Sequence, residues 1–273
     1  MSTRELLAHD YRPVKRRLRV RDIWASWRIT RMVAARDIRV KYKQAALGPL
    51  WLILAPLGML GAVTVAFSGV TSVQTQDVPY VLFALAGLTM WTFVQLGLMI
   101  APQGLIGNSA LVRRSACPRL ALVQGAVIAN SPPVIVMGVI SLLWAGLDRG
   151  VTLQMLLLPL VAAWLFVLVW GLALLAAPLA ARARDIVSVV PLAVQAGLFV
   201  TPVGYPLAGS PANIQTLLTL NPVTGIIEAW RWALLGMDPD STAMLVSGAM
   251  TLLIAWFGWR LFTRTETTIA DYV

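Results

Sequence analysis

Four cations, Arg36, Arg39, Lys41 and Lys43, stand within one eight-residue run, and the chain turns apolar within four residues of the last. A cluster of that kind, held where a membrane begins, attracts anionic oxygens, and a pyrophosphate group is the chemistry that fits it. Three more cations, Arg113, Arg114 and Arg119, flank Cys117 and Pro118 in a polar break between two apolar stretches, where they can pair with carboxylates. Glu228 and Arg231 are three apart and share a helical face, so they form an ion-pair candidate.

Other chemistries are excluded by what is missing. The single cysteine, Cys117, rules out an intramolecular disulfide and argues against Cys-x-x-Cys metal clusters. The single histidine, His9, lies in the polar N-terminal arm, which removes His-based metal or proton chemistry from the apolar part of the chain. No Gly-x-x-x-x-Gly-Lys-Ser/Thr occurs, so this chain does not cradle ATP phosphates in the Walker manner. Asp238-Pro-Asp240 has the spacing of a metal-binding Asp-x-Asp, but the topology below places it away from cytosolic nucleotide sugars.

The elements that position these residues are membrane helices. With 58% hydrophobic and 12% charged residues and a mean hydropathy of +0.76, the 273-residue chain is far more apolar than a soluble domain, whose charged fraction is about 25%. The net charge of +10 is not a nucleic-acid signal, because thirteen of the 22 cations precede residue 44. More than forty polar residues precede the first apolar run, and that run is too long for a secretory signal.

Residues 1–21 read as a basic cytoplasmic arm. From Asp22, an N-cap candidate, to Lys43 the pattern is that of an amphipathic interface helix, with Ile23, Trp27, Ala34 and Ile38 on its apolar face and Arg31 and Lys41 interrupting that face. The transmembrane domain is then 44–273. Its charge-free stretches, 44–76, 78–112, 120–147, 150–181, 186–227 and 241–259, give six spans at about 47–69, 80–105, 120–147, 153–181, 186–203 and 241–262.

The 42 residues of 186–227 are numerous enough for two spans. Thr201-Pro-Val-Gly-Tyr-Pro206, Gly209-Ser-Pro211 and Asn221-Pro222 break any second one, so 206–236 is read as a re-entrant element of two short helices parted at Asn221 and Pro222. Six spans put both termini on one side. The positive-inside rule makes that side cytoplasmic, since only Arg149 and Arg231 fall elsewhere. The fold class is thus an all-α polytopic membrane protein with six transmembrane helices, an N-terminal interface helix and re-entrant helices before the last span.

Six motifs, in order, carry a family resemblance over nearly the whole chain. Arg36-Asp-Ile-Arg-Val-Lys-Tyr-Lys-Gln-Ala-Ala-Leu-Gly-Pro-Leu-Trp51 with Pro56 resembles the start of the ABC type-2 permeases that export polysaccharides, including O-antigen and teichoic acid. Pro79-Tyr-Val-Leu-Phe-Ala-Leu-Ala-Gly-Leu-Thr-Met-Trp91 resembles the family's entry to the second span, and Asn108-Ser-Ala-Leu-Val-Arg-Arg-Ser-Ala-Cys-Pro-Arg119 its cytoplasmic loop. Arg184-Asp185 with Pro191 and Thr201-Pro-Val-Gly-Tyr-Pro206 follow, and Leu220-Asn-Pro-Val-Thr-Gly-Ile-Ile-Glu-Ala-Trp-Arg231 completes the set. Ala45 and Ser115-Ala116-Cys117 depart from the family's usual Ser or Thr and more aromatic triplet.

The resemblance implies a transport subunit rather than an enzyme, in the bacterial inner membrane, working as a homodimer with two copies of a cytoplasmic ATPase that binds ATP and Mg. Loop 106–119 becomes the coupling helix seated in that ATPase through Arg113, Arg114, Cys117, Pro118 and Arg119. The cargo is an undecaprenyl-type lipid-linked glycan whose head enters beside Arg36, Arg39, Lys41 and Lys43. Trp51, Tyr80, Trp91 and Tyr205, within the motifs, become candidates to line a sugar path, because aromatic faces stack on the C–H faces of sugars; the plainer role of such residues is an aromatic belt. Asn221, Pro222, Glu228 and Arg231 become a re-entrant gate. Two other readings stand beside this one. An ABC exporter of small molecules or lipids has the same architecture, and a membrane-embedded glycosyl or lipid transferase has, for its general base, Asp185, Glu266 and Asp271 near the cytosolic interface.

Overall fold

The computed structural model describes residues 21–43, 46–68, 75, 77–114, 117–208 and 211–272. The basic arm apart from Arg21 lies outside the described residues, as do Ala45, Ser115, Ala116 and the side chains of Arg113 and Arg114. The described residues form twelve α-helices and no strand: α1 Arg21–Ala25, α2 Trp27–Lys43, α3 Trp51–Ser68, α4 Tyr80–Ile106, α5 Ser109–Arg114, α6 Arg119–Ile128, α7 Ser131–Arg149, α8 Leu158–Arg182, α9 Ile186–Phe199, α10 Ala212–Thr219, α11 Thr224–Leu235 and α12 Ser241–Tyr272.

Helix α4 is the axis of the bundle. It meets α3, α6, α7, α8, α9 and α11, and every residue from Leu82 to Trp91 is buried, which requires a helix apolar on all sides. Helix α3 is equally apolar but peripheral: only 11% of its span is buried, and Leu54, Leu57 and Val65 stand outside the protein. Leu192 and Phe199 of α9, Leu143 and Leu147 of α7, and Leu245 and Leu252 of α12 are exposed in the same way. Water does not tolerate so much apolar surface, whereas hydrocarbon does. Helices α8 and α12 make the most extensive pairing, meeting where Gly171, Ala255 and Gly258 let the two backbones close.

Five helical segments are long and apolar enough to cross a membrane: Gly48–Ala66, Tyr80–Ile106, Arg119–Arg149, Leu153–Arg182 and Ser241–Glu266. The third is α6 and α7 joined through Ala129 and Asn130, where Pro132 and Pro133 interrupt regular helix bonding. The stretch 186–203 departs from the expected span. Its helix, α9, ends at Phe199 after 14 residues, about 21 Å against roughly 30 Å of hydrocarbon. Thr201, Pro202, Val203 and Gly204 are instead buried in the bundle as an irregular turn.

The amphipathic segment is also arranged differently from its wheel. Its two helices are joined at Ser26, and the face that meets protein carries Ser26, Thr30, Val33 and Ala34, while Trp27 is 44% exposed. The reason lies in what this face meets: α6 presents a polar amide and a glycine there, not an apolar groove.

Candidate functional site

Where α9 stops, its last carbonyls lose their helical donors, and inside an apolar bundle no water replaces them. Side chains from three other segments supply the donors. The Arg231 guanidinium, 1% exposed, donates from Nη1 to the Pro202 carbonyl at 2.9 Å and from Nη2 to the Val203 carbonyl at 2.6 Å. Tyr80 Oη donates to the Gly204 carbonyl at 2.9 Å, and Tyr205 Oη to that of Phe199 at 2.9 Å. Asn221 Nδ2 reaches the Val200 carbonyl at 3.1 Å and Thr201 Oγ1 at 2.8 Å.

The same arginine is packed on three sides. Its guanidinium carbon lies 3.5 Å from the centroid of the Phe83 ring, and its Nη1 is 3.8 Å from Glu228 Oε1. Gly87 of α4 faces it directly. A Cβ there would stand 2.5 Å from the Val203 carbonyl oxygen and 2.7 Å from Arg231 Nη2, so only glycine admits the turn.

The break between α10 and α11 is bonded as tightly. Asn221 Oδ1 accepts from the Val223 N–H at 3.0 Å, closing a local Asx turn ahead of α11. Ser247 Oγ of α12 accepts from the Gly225 N–H at 2.8 Å and donates to the Asn221 carbonyl at 3.3 Å. Asn221, Pro222, Glu228 and Arg231 therefore belong to one fixed latch that ties α4, α11 and α12 to the end of α9.

The four aromatic candidates are not brought together. Tyr80 and Tyr205 both serve the 199–206 turn. Trp91 is buried at 4% exposure, with Gly197 of α9 against its indole, and lines a cavity of about 220 Å³ together with Thr201 and Asn221. Trp51 is half exposed at the start of α3, near the opposite end of the bundle.

At that opposite end a cleft of about 660 Å³ opens between α2, the Gly48–Leu50 turn and the start of α7. Arg39 and Lys43 line it with Tyr42, while Ile38, Leu52 and Pro132 make its apolar part. Arg36 and Lys41 are engaged elsewhere. Arg36 pairs with Asp37 at 2.8 Å and donates from Nη2 to Asn108 Oδ1 at 2.7 Å, and Lys41 Nζ donates to Asn130 Oδ1 at 3.1 Å. Close by, α5 precedes the half-buried Cys117, and burial pushes the Cys117 thiol up while neighbouring Arg36 pulls it down. Among the described residues no cluster of three or more His, Cys, Asp or Glu is placed to hold a metal ion.

Residues 29–235, which include both the cleft and the latch, match the family model for the ABC-2 type transporter. The chain belongs to the ABC-2 type transporter family. It is similar to two O-antigen export system permease proteins RfbA of Klebsiella pneumoniae, each 24% identical over 206 residues that cover 73% of this chain and 77% of the relative. It is also similar to the O-antigen export system permease protein RfbA of Myxococcus xanthus, 20% identical over 265 residues covering 93% of this chain and 98% of the relative.

Several residues of this ABC-2 chain's two sites escaped sequence reasoning. Gly87, Thr201 and the three successive carbonyls of residues 202–204 lie inside quoted motifs, yet no local pattern assigns them partners. Ser247 has no signal at all. Gln124, Asn108 and Asn130 are amides in or beside apolar stretches, and that oddity was the available clue.

The latch predicts a graded loss of stability. Arg231→Met leaves two carbonyls and Glu228 without their buried partner, which costs on the order of 3–5 kcal/mol. Tyr80→Phe removes one hydrogen bond at about 1 kcal/mol. Thermal unfolding of the purified protein in detergent should therefore rank wild type above Tyr80→Phe and both well above Arg231→Met; equal midpoints would show that the latch carries no load.

Proposed function

We propose that this chain is the permease subunit of an ATP-driven exporter that moves a lipid-linked polysaccharide, of the O-antigen or teichoic-acid kind, across the bacterial cytoplasmic membrane. The observation that carries this reading is the alignment of 206–265 residues with permeases named for O-antigen export, on top of a family match over 29–235. The geometry supports it in two places. The 660 Å³ cleft pairs cations with an apolar wall at the start of the first span, which suits a pyrophosphate carried on a hydrocarbon tail. Ala110 and Leu111 of α5 are exposed, a face that a soluble subunit can reach, while Val112 anchors the helix in the core.

In this mechanism two copies of the chain assemble with two copies of a cytoplasmic ATPase, which supplies the nucleotide chemistry this sequence lacks. The ATPases press on the 106–119 loop through Arg113, Arg114, Cys117, Pro118 and Arg119. The lipid head docks at Arg39 and Lys43, with Arg36 and Lys41 adding to the local positive potential. The largely unburied α3, with Trp51 at its cytoplasmic end, is the wall offered to the second copy, and the glycan passes between the copies along Trp51 and the partly exposed tyrosines of the turn, whereas Trp91, buried in the bundle, does not line that path. The re-entrant helices cap that path on the outer side. The short α9 and the 200–206 turn together complete a sixth crossing, so both termini are cytoplasmic.

Three measurements test this reading. The chain should co-purify with an ABC ATPase whose hydrolysis rises on adding undecaprenyl-pyrophosphate-linked glycan; no such subunit, or no stimulation, counts against it. Arg39→Gln with Lys43→Gln removes two charge-assisted contacts of about 1.5–3 kcal/mol each. The double variant should raise the glycan-lipid concentration for half-maximal stimulation by roughly tenfold or more while leaving assembly with the ATPase intact. A reporter enzyme that works only in the cytoplasm should be active when fused after Val273, and an expressed but inactive fusion, with activity instead from a reporter that works only outside, would overturn the topology.

A further inference from the structure

Helix α2 does not float on the surface; it is fastened along the first half of the third span. Gln124 Oε1, on the 5%-exposed side chain of α6, lies 3.2 Å from Thr30 Oγ1 and 3.5 Å from Ser26 Oγ, whose single protons it shares with the Ser26 and Ile23 carbonyls at 3.1 and 3.0 Å. In a low-dielectric setting such a clasp favours one register, because slipping it leaves the Gln124 oxygen without these donors. Gly125 removes the remaining slack. A Cβ there would stand 2.7 Å from Val33 Cγ1 and 3.2 Å from the Thr30 carbonyl oxygen. Two further ties bracket the clasp: Arg36 to Asn108, in the turn before α5, and Lys41 to Asn130, at the end of α6. Each asparagine also grips the helix that precedes it: Asn108 bonds the end of α4 through the Gly104 carbonyl at 3.0 Å, and Asn130 the end of α6 through that of Ala126 at 2.8 Å.

Immediately past this fastened block the third span is weak. Pro132 and Pro133 carry no N–H, so the Ile128 and Ala129 carbonyls have no helical donor four residues on. The Ile128 carbonyl takes the Ser131 hydroxyl instead, at 2.8 Å. The two halves also keep different company: α6 packs on α2, α4 and α8, whereas α7 packs on α3, α4 and α11. The cleft straddles this line, with Arg39, Tyr42 and Lys43 on the fastened block and Leu52 and Pro132 across from them.

We propose that α1, α2, α5 and α6, with the end of α4 that Asn108 grips, move as one lever, keyed by Gln124 and hinged at Asn130–Pro133, so that a push on α5 changes the width of the cationic cleft. This inference rests on the ATP-driven reading above. The α5 helix and the cationic wall of the cleft need no separate drive, since both lie on one body.

The test uses the full chain assembled with its ATPase in nanodiscs, with Cys117 kept and spin labels carried on a genetically encoded keto amino acid, distances being read without nucleotide and with ATP trapped by vanadate. Labels at positions 28 and 110, both on the lever, should keep their distance, while labels at 28 and 147, across the hinge, should shift. A shift within the first pair overturns the lever. Oxidising Thr30→Cys with Gln124→Cys to a disulfide should leave the cross-hinge shift intact, and its loss would mean that α2 slides on α6 instead. Pro132→Ala with Pro133→Ala, which restores both donors, should abolish the cross-hinge shift while the ATPase still co-purifies; a persisting shift overturns the hinge. Should ATP move no pair even in the otherwise unaltered chain, the ATP-driven reading itself falls, an outcome distinct from a shift inside the lever.

Discussion

A helix that ends inside an apolar bundle leaves carbonyl groups that nothing nearby is chemically able to satisfy. In this protein that happens after Phe199, and the arrangement of the far end of the molecule follows from repairing it. Five of the six carbonyls between residues 199 and 204 take a donor from Tyr205, Asn221, Arg231 or Tyr80, and the sixth, that of Thr201, takes the Val203 N–H. Each donor comes with its own requirement. Arg231 needs Phe83 and Glu228 beside it and Gly87 out of its way, and Asn221 needs Ser247 at its back. The positions of α4, α11 and α12 around the turn are consequences of one interrupted helix.

The two ends of the bundle use cations for opposite purposes. Arg231 is wholly enclosed and spends its donors on backbone, so its charge serves as a strong, forked hydrogen-bonding group rather than as a lure for ligands. At the loop end the cations lie at the surface and divide by reach. Arg36 and Lys41 find amides on neighbouring elements and fasten α2 in place, which leaves Arg39 and Lys43 to face the cleft. Spacing alone puts all four in one cluster; the helical register and the positions of Asn108 and Asn130 separate them.

That contrast marks what a sequence of this kind discloses. Long charge-free stretches and their breakers are strong signals because hydrocarbon punishes a charge wherever it falls, so the all-α, many-helix membrane fold was legible before any coordinates. Pro79, Pro118 and the pair Asn221-Pro222 punctuate the helices for reasons local to the chain. The wheel of α2 misled because it assumes that an apolar face seeks apolar partners. Here Gln124 and Gly125 sit opposite, and Ser26, Thr30 and Val33 answer them, a choice made 94–98 residues away. The early stop of α9 was hidden for a similar reason. Val200 to Val203 carry no charge, and only the donors gathered from residues 80, 205, 221 and 231 make an irregular turn cheaper there than another helical turn.

The same accounting bears on how such a protein is driven. The charge-free stretches hold no Asp, Glu, Lys, Arg or His, and Glu228 and Arg231, which follow the fifth of them, are consumed by the latch. A pump run by protons or sodium needs a group whose charge state or ligation changes as cargo moves, and the Arg231 site cannot change without releasing the carbonyls of Pro202 and Val203 into hydrocarbon. Under the ATP-driven reading proposed above, force arrives mechanically, through elements that reach the surface yet are bonded into the bundle. The α5 loop and α2 meet both conditions, because Asn108 joins them and Gln124 carries the connection inward to α6. An interior that refuses charge thus places the input of work at its surface, which is where a separate nucleotide hydrolase is able to deliver it.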